Sequence, residues 1–343
     1  MTRQQTVFYR LFAEHGSGDA RVVISPQEVV MLIYIASADL GIDIPNVNEL
    51  RLCKTVALKG FYDISHSDIE SLPNVSKDTC FSFMESCKVT DINNVMFIYV
   101  KNLCDLYRRR FKYYQILKTQ PFPNSDQIVP RSLLEYGCCS NGLLADWLEW
   151  RKWIFDIDNR SAQETGYVFE PILASCLGGT SMSAKVSPVK RIDDNGKTTA
   201  NGRQIDCYIE DTKEVYELKM RVTIAASGQG RFNEEMSFPY EAEKAGLIPI
   251  LVVFDENESS LLTKLKQQYI DCGGQYYIGR DAWAMLRERA GYEMGIFIDK
   301  YIYPPIYAME KHLNSNPKSI TLQKTDDAVI VSGKDGRYKI KRN

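Results

Sequence analysis
Ile248-Pro249-Ile250-Leu251-Val252-Val253-Phe254 is an almost uninterrupted apolar run, and a strand of that composition is stable only where both of its faces are covered. The chain must therefore build a sheet with a buried middle. The residues that follow suit such a sheet: 259–272 reads as a helix, 275–278 as a short strand, and 281–290 as a second helix with Asp281 as its N-cap. Upstream, 204–210 and 215–223 read as two strands joined by the polar turn Asp211-Thr212-Lys213. Before them lie a helical stretch at 163–177, with Pro171 as a kink and Gly178-Gly179 at its C-terminus, then an apolar-basic strand at 184–191 and the turn Asp193-Asp194-Asn195-Gly196. The order is helix, three strands, then strand, helix, strand, helix. An antiparallel hairpin joined to a parallel edge makes this an α/β fold with a mixed central sheet flanked by helices.

The hairpin carries the chemistry. Asp206 lies on its first strand, and Glu217-Leu218-Lys219 on its second. The two-residue period of a strand puts Glu217 and Lys219 on one face, and a hairpin of this length brings Asp206 near them across the ladder. Two carboxylates and an ammonium suit metal-assisted phosphodiester cleavage. That reaction needs a nucleophilic water near neutral pH and relief of the charge on the phosphoryl oxygens, and a carboxylate-held Mg²⁺ serves both needs. Lys219 would orient the water and stabilise the transition state. The same spacing also describes a solvated hairpin with ordinary surface charges, so its setting matters. The preceding helix offers Glu164 and Glu170, six positions apart and so on different faces. Glu170, set among Phe169, Ile172 and Leu173, is the favoured partner of the site; the alternative is a helix-surface carboxylate.

Elsewhere the chain mainly excludes. Its 343 residues, 44% hydrophobic, suffice for two or three packed units. A net charge of −2 is not that of a nonspecific polycation, but leaves room for a local basic cleft. The nine cysteines lack paired CxxC spacing, and His15, His66 and His312 are scattered, so neither a zinc site nor a disulfide framework is indicated. The start Met1-Thr2-Arg3-Gln4-Gln5 has no apolar core behind it, and the run 29–35 is too short to span a bilayer. A cytoplasmic location without a membrane partner is expected.

Residues 1–155 are expected to be mainly helical, with helices at 27–39, 47–59 and 93–118, and to serve DNA recognition or dimerisation. In the last of these helices, Tyr107-Arg108-Arg109-Arg110-Phe111-Lys112-Tyr113-Tyr114 interleaves basic and aromatic side chains. Such a segment suits phosphate binding or, preferably, an amphipathic helix with a solvated basic face. A helix at 143–155 with Trp147, Trp150 and Trp153 reads as core or subunit interface. Residues 156–305 hold the hairpin and crossover. In 306–343 short strands at 320–323, 328–332 and 337–341 form a β appendage, with Lys339, Lys341 and Arg342 as a DNA-facing or merely solubilising edge.

The order of elements, with Ile205-Asp206 on one strand and Glu217-Leu218-Lys219 on the next, resembles the PD-(D/E)xK nuclease superfamily. The strings ELKMRVTIAASGQGRFNEE, ILVVFD and YYIGRDAW are similar to type II restriction endonucleases of the ApaLI-like group. The likeness covers roughly 164–305, and Ile205 stands where the superfamily's name has proline. It implies a restriction-endonuclease-like core that cleaves double-stranded DNA at a specific short site with Mg²⁺ and protects the host against foreign DNA. Asp206 and Glu217 would bind metal, with the Leu218 carbonyl as a further ligand, and Lys219 would be the catalytic lysine. Arg221 would grip a phosphate or buttress Glu217, unless it is an exposed strand-end arginine. Ser227-Gly228-Gln229-Gly230-Arg231 lacks the lysine-serine/threonine ending of a P-loop, so no nucleotide cofactor is implied. Gln229 and Arg231 offer donors for base edges or phosphates, unless the segment is a simple strand-to-helix turn. Lys190 and Arg191, closing the strand at 184–191, are further candidate DNA contacts. A palindromic target would favour a homodimer. The alternatives are a structure-specific or repair nuclease on the same core, or a DNA-binding regulator without catalysis.

Overall fold
Side chains that accept backbone N–H groups begin many of the helices. The computed structural model describes residues 1–14, 18–193, 195–220, 229–313, 319–334 and 336–342, with backbone alone at 162–168 and 229–231. The chain divides into two compact units, Met1–Thr165 with Tyr307–Asn343, and Gly166–Ile306. The first unit opens with α1 (Arg3–Ala13), α2 (Pro26–Leu40), α3 (Arg51–Ala57), α4 (His66–Glu70), α5 (Lys77–Ser86), α6 (Val95–Thr119) and α7 (Ser125–Ser132), and holds the first part of α8 (Asn141–Cys176). Thr2, Ser65, Ser76 and Asn94 cap α1, α4, α5 and α6. Helix α2 is buried continuously from Val29 to Ala36, as the central helix of a bundle must be.

Two arginines expected on a solvated face of α6 turn toward the protein instead, Arg108 buried and Arg110 half-buried. Arg108 is 3% exposed and donates to the Phe12 carbonyl and the Asp105 carboxylate. Arg110 donates to the carbonyls of Phe61, Tyr62 and Ile64, the last two at 2.9 and 2.8 Å. A guanidinium offers several donors in a fixed plane, so it can satisfy loop carbonyls that helix geometry leaves unpaired. The segments expected as separate helices at 143–155 and 163–177 are one helix, α8. Trp153 and Ile157, one turn apart, keep a single buried face in phase, and Lys152 pairs with Asp156 across the intended break.

The second unit holds the rest of α8, then β1 (Thr180–Met182), β2 (Lys190–Ile192), β3 (Thr198–Gly202), β4 (Ile205–Ile209), β5 (Glu214–Lys219), α9 (Gln229–Lys244), β6 (Ile248–Val253), α10 (Ser260–Asp271), β7 (Gln275–Ile278), α11 (Arg280–Arg289), α12 (Tyr292–Phe297) and the start of α13 (Tyr303–Leu313). Its five-stranded sheet has the order β1-β4-β5-β6-β7. Strand β4 runs antiparallel to β1 and β5, whereas β5, β6 and β7 are mutually parallel. This is the expected mixed sheet flanked by helices. One core joins Val215, Leu251 and Val253 of the sheet to Phe238 and Ala242 of α9 and Leu262, Leu265 and Tyr269 of α10. Gly179 lies where a Cβ would meet Cys207 Sγ and the Tyr208 carbonyl, so the chain leaving α8 approaches β4 as only glycine can.

Two details differ from expectation. Of the strand expected at 184–191, only β2 forms, and it pairs with β3 in a separate ribbon; the edge of the main sheet is β1. The amides of Val186 and Ser187 both turn back to the Ser183 carbonyl at 3.1 Å, and Pro188 has no N–H to give a ladder. The N-cap of α11 is Gly279 rather than Asp281. The chain enters this helix at φ 56°, a value that favours glycine, and Asp281 sits in the first turn.

The strands β8 (Ile320–Lys324), β9 (Ala328–Gly333) and β10 (Gly336–Lys341) form an antiparallel meander within the first unit. Val329 packs with Ala20, Ile116, Trp153 and Ile157. Arg342 donates to the carbonyls of Leu117 and Gln120 at 2.9 and 2.6 Å and lies over the Phe122 and Trp153 rings, so it is a clamp rather than part of a free edge. Lys339 pairs with Asp327 at 3.4 Å. Trp153 stacks on Phe122 at 4.7 Å and donates Nε1 to the Gln120 carbonyl at 3.1 Å. Trp153→Ala should therefore cost about 3–5 kcal/mol, the range for deleting a buried aromatic side chain. Urea denaturation followed by circular dichroism measures this loss, and an unmoved midpoint would remove Trp153 from the core. No helix among the described residues is long and apolar enough to cross a membrane.

Candidate active site
Strands β4 and β5 stay paired from Ile209 opposite Glu214 to Cys207 opposite Tyr216, where the ladder stops. Continuing that register sets Asp206 opposite Glu217. Just past the last pair, the Leu218 N–H donates to Asp206 Oδ2 at 2.9 Å, so a side-chain carboxylate replaces the backbone acceptor. The carbonyls of Lys213 and Lys219 accept from Ile248 and Phe254 at 2.8 Å and so face β6. Alternation directs the Leu218 carbonyl, like its N–H, toward β4 and Asp206. Ser181 donates its hydroxyl to the Asp206 carbonyl at 2.8 Å, tying the edge strand to the same point.

Lys219 completes the group. Its Nζ lies 3.1 Å from Glu217 Oε1, on the shared face expected from strand period, and 3.2 Å from Glu235 Oε1 on α9. Asp206 is 9% exposed; burial first, then the charges of Glu217 and Glu170, push its carboxyl well above the usual range, against the Leu218 N–H and Lys219. Burial, then Glu217, likewise raises the half-buried Glu170. Burial alone would lower the Lys219 ammonium, but Glu217 and Glu235 outweigh it and raise its pKa. Crowded carboxylates that resist ionising together are a natural seat for a hard divalent cation. Among the described residues no group of three or more His, Cys, Asp and Glu side chains is gathered so that it could hold a metal ion. The donors present nevertheless fit Mg²⁺, which commonly takes one or two protein carboxylates and keeps waters for its other positions.

Glu235 was not singled out from sequence. The signal was available in α9: Phe238 and Ala242 set the packed face, and Glu235 stands three and seven positions before them. An acid on a packed face needs a partner, and here it is Lys219. Glu235 Oε2 is buried with no hydrogen-bond partner among the described residues. Helix α9 is itself fastened by Arg203, which bonds to the Glu241 carboxylate, the Glu234 carbonyl at 2.8 Å and Ser237 Oγ. Glu241 Oε1 also accepts the Ile192 amide at 3.0 Å, joining the β2–β3 ribbon to the same helix.

The remaining candidates are less closely gathered. Lys190 and Arg191 lie on β2, and no hydrogen bond or ion pair among the described residues joins them to Asp206, Glu217 or Lys219. Arg191 pairs instead with Glu234 at 3.0 Å in an exposed position. Arg221 and the end of the strand expected to reach 223 lie outside the described residues, as do the side chains of Gln229, Arg231 and Glu164.

Residues 63–303 match the family described as ApaLI-like restriction endonuclease. The type II restriction enzyme ApaLI of Acetobacter pasteurianus is 48% identical over 221 residues, which make up 63% of this chain and 58% of that relative. The chain thus spans a little over half the length of the curated relative. With the family match extending over most of its residues, the chain belongs to the ApaLI-like restriction endonuclease family.

Proposed function
We propose that the protein is a type II site-specific deoxyribonuclease that hydrolyses double-stranded DNA with Mg²⁺ and protects its host against foreign DNA. The observation that carries this reading is the meeting of Asp206, Glu217 and Lys219 where β4 and β5 part, in a chain of this family. The architecture around that point suits a PD-(D/E)xK core. Asp206, Glu217 and the Leu218 carbonyl would hold the cation, which when bound activates water and neutralises charge at the scissile phosphate. Lys219 stays protonated, since its pKa is raised, and so acts as a donor rather than a base. Glu217 and Glu235 fix its ammonium, leaving donor capacity for the attacking water or a phosphoryl oxygen. Glu170, whose carboxyl holds its proton to higher pH than an ordinary glutamate, is suited to take the proton that the water loses.

Lys190, Arg191, Arg221, Gln229 and Arg231 are the proposed DNA contacts. The exposed pairing of Arg191 with Glu234 contributes little, so exchanging it for a phosphate is cheap. A homodimer needing no nucleotide cofactor, working in the cytoplasm, completes the reading. Residues 1–155 would serve recognition or dimerisation, 156–305 catalysis, and 306–343 would be an accessory β element.

The test is unmethylated plasmid incubated with Mg²⁺, with and without EDTA, beside Asp206→Asn. Discrete fragments that vanish with EDTA and with the variant are expected, together with a Mg²⁺-dependent rise in melting temperature for the natural chain alone. Smeared or branch-limited cutting would favour a structure-specific nuclease, and binding without any cleavage would leave the regulator.

A further inference from the structure
Asp206 stands where β4 falls out of step with the edge strand β1. Thr180 pairs with Tyr208 and Met182 with Ile205, so two steps along β1 answer three along β4, and Asp206 and Cys207 both fall opposite Ser181. That count is a β-bulge, which leaves a residue out of the ladder and re-aims a side chain. The two bulge residues are anchored differently. Cys207 still pairs with Tyr216 of β5, whereas the Asp206 carboxylate takes the Leu218 N–H at 2.9 Å in place of a backbone acceptor. The Asp206 carbonyl receives the Ser181 hydroxyl at 2.8 Å, a side-chain donor where the backbone ladder is interrupted. The edge strand has little length to spare. Gly179 brings the chain so close to β4 that a Cβ there would meet Cys207 and Tyr208, and at Val186 the chain has already turned back on the Ser183 carbonyl. Strand β1 is three residues long, with Ser181 at its centre.

We propose that Ser181 is a positioning residue for the reaction: its hydroxyl pins the bulge at Asp206 and so fixes the direction of the carboxylate that holds the cation. The proposal rests on the nuclease reading for the role of Asp206 as a metal ligand. The residue is held at two points, its carbonyl by β1 and its Oδ2 by β5, and together they settle where so short a side chain points. With Oδ2 engaged by the Leu218 N–H, Oδ1 is left for a cation. Without the hydroxyl the Asp206 carbonyl has to turn to water, and the carboxylate on the same residue turns with it. Groups that orient a metal ligand from behind act in this way, through the ligand and without touching the metal. Ser181 is exposed at the sheet edge, so truncating it opens no cavity, and a role in stability alone predicts little effect on the binding of a metal.

The test compares the full natural chain with Ser181→Ala, Ser181→Val, Ser181→Thr and Thr180→Ala by two titrations with Mg²⁺. One follows the metal-induced rise in melting temperature without DNA, and the other follows single-turnover cleavage of plasmid. Ser181→Ala and Ser181→Val are expected to need about 10–100-fold more Mg²⁺ in both, the usual loss when the group behind a metal ligand is removed. Saturating Mg²⁺ should restore most of the cleavage rate, and DNA should still shift on a gel in EDTA. Ser181→Thr should stay close to the natural chain, since threonine and valine suit a strand equally and differ in the hydroxyl. Thr180→Ala, at an exposed neighbour on the same strand, should leave the Mg²⁺ requirement unchanged. Melting without metal reports the fold of each variant. A folded Ser181→Ala or Ser181→Val chain with the natural Mg²⁺ requirement overturns the proposal and leaves the nuclease reading standing. An equal loss in Ser181→Thr or Thr180→Ala also overturns it, because the edge strand rather than the hydroxyl would then be responsible. A natural chain that neither cuts DNA nor responds to Mg²⁺ removes the nuclease reading itself, and this proposal with it.

Discussion
Lys219→Ala should slow single-turnover cleavage of plasmid DNA by about 10²–10³-fold, the loss typical of deleting one preorganised donor to a developing charge, while DNA still shifts on a gel in EDTA. The ammonium lies among Glu217 and Glu235 and close enough to Asp206 and Glu170 to oppose the rise in their pKa. Removing it takes away a transition-state donor and leaves these acids without its countercharge, so cation binding should survive or strengthen as turnover falls. That split distinguishes loss of chemistry from loss of fold. Glu235→Gln should do less harm, because an amide can still accept from Nζ but carries no charge to hold it. A Lys219→Ala chain cutting within a few-fold of the natural rate would show that the lysine orients neither water nor phosphate.

Arg203→Ala is expected to cost about 3–5 kcal/mol, the range for removing one member of a buried ion pair. Glu241 is only 3% exposed, and truncation would leave its carboxylate without the guanidinium, while the Glu234 carbonyl and Ser237 hydroxyl lose their donor. The reverse substitution separates the pair's worth from the penalty of an orphan charge. Arg203→Met/Glu241→Leu should recover much of the loss, since apolar replacement of both members is often close to neutral. Urea denaturation of the three chains measures it, and a single variant within about 1 kcal/mol of the natural protein, the scale of an exposed pair, would remove the clamp from the account. Because α9 carries Glu235 as well as the Glu234, Ser237 and Glu241 that Arg203 holds, Arg203→Ala should also loosen Glu235 and reduce cleavage below the melting transition.

Much of this was legible in residue order. The apolar run at 248–254 could only be a covered strand, and it is β6, buried from Pro249 to Val253. The helix at 259–272 and the strand at 275–278 were readable because Ser259 caps the one and aromatic residues fill the other. Asp206 and the Glu217–Lys219 pair were recognisable as neighbours because a two-residue period and a short turn leave a hairpin few registers. Such properties are local: a residue's own type and its neighbours within a turn or strand carry them.

What remained depended on residues far away in the chain. Lys219 meets Glu235 only because the parallel crossover lays α9 over β5, and Arg108 and Arg110 turn inward because Phe12 and the 61–64 loop present bare carbonyls to them. Trp147 and Trp153 are alike in sequence; Phe122 and the strand bearing Val329 bury one and leave the other exposed. Periodicity names the face on which a side chain lies. The partner that meets that face is set by long-range packing, where burial makes each unpaired charge or carbonyl costly enough to choose a single arrangement.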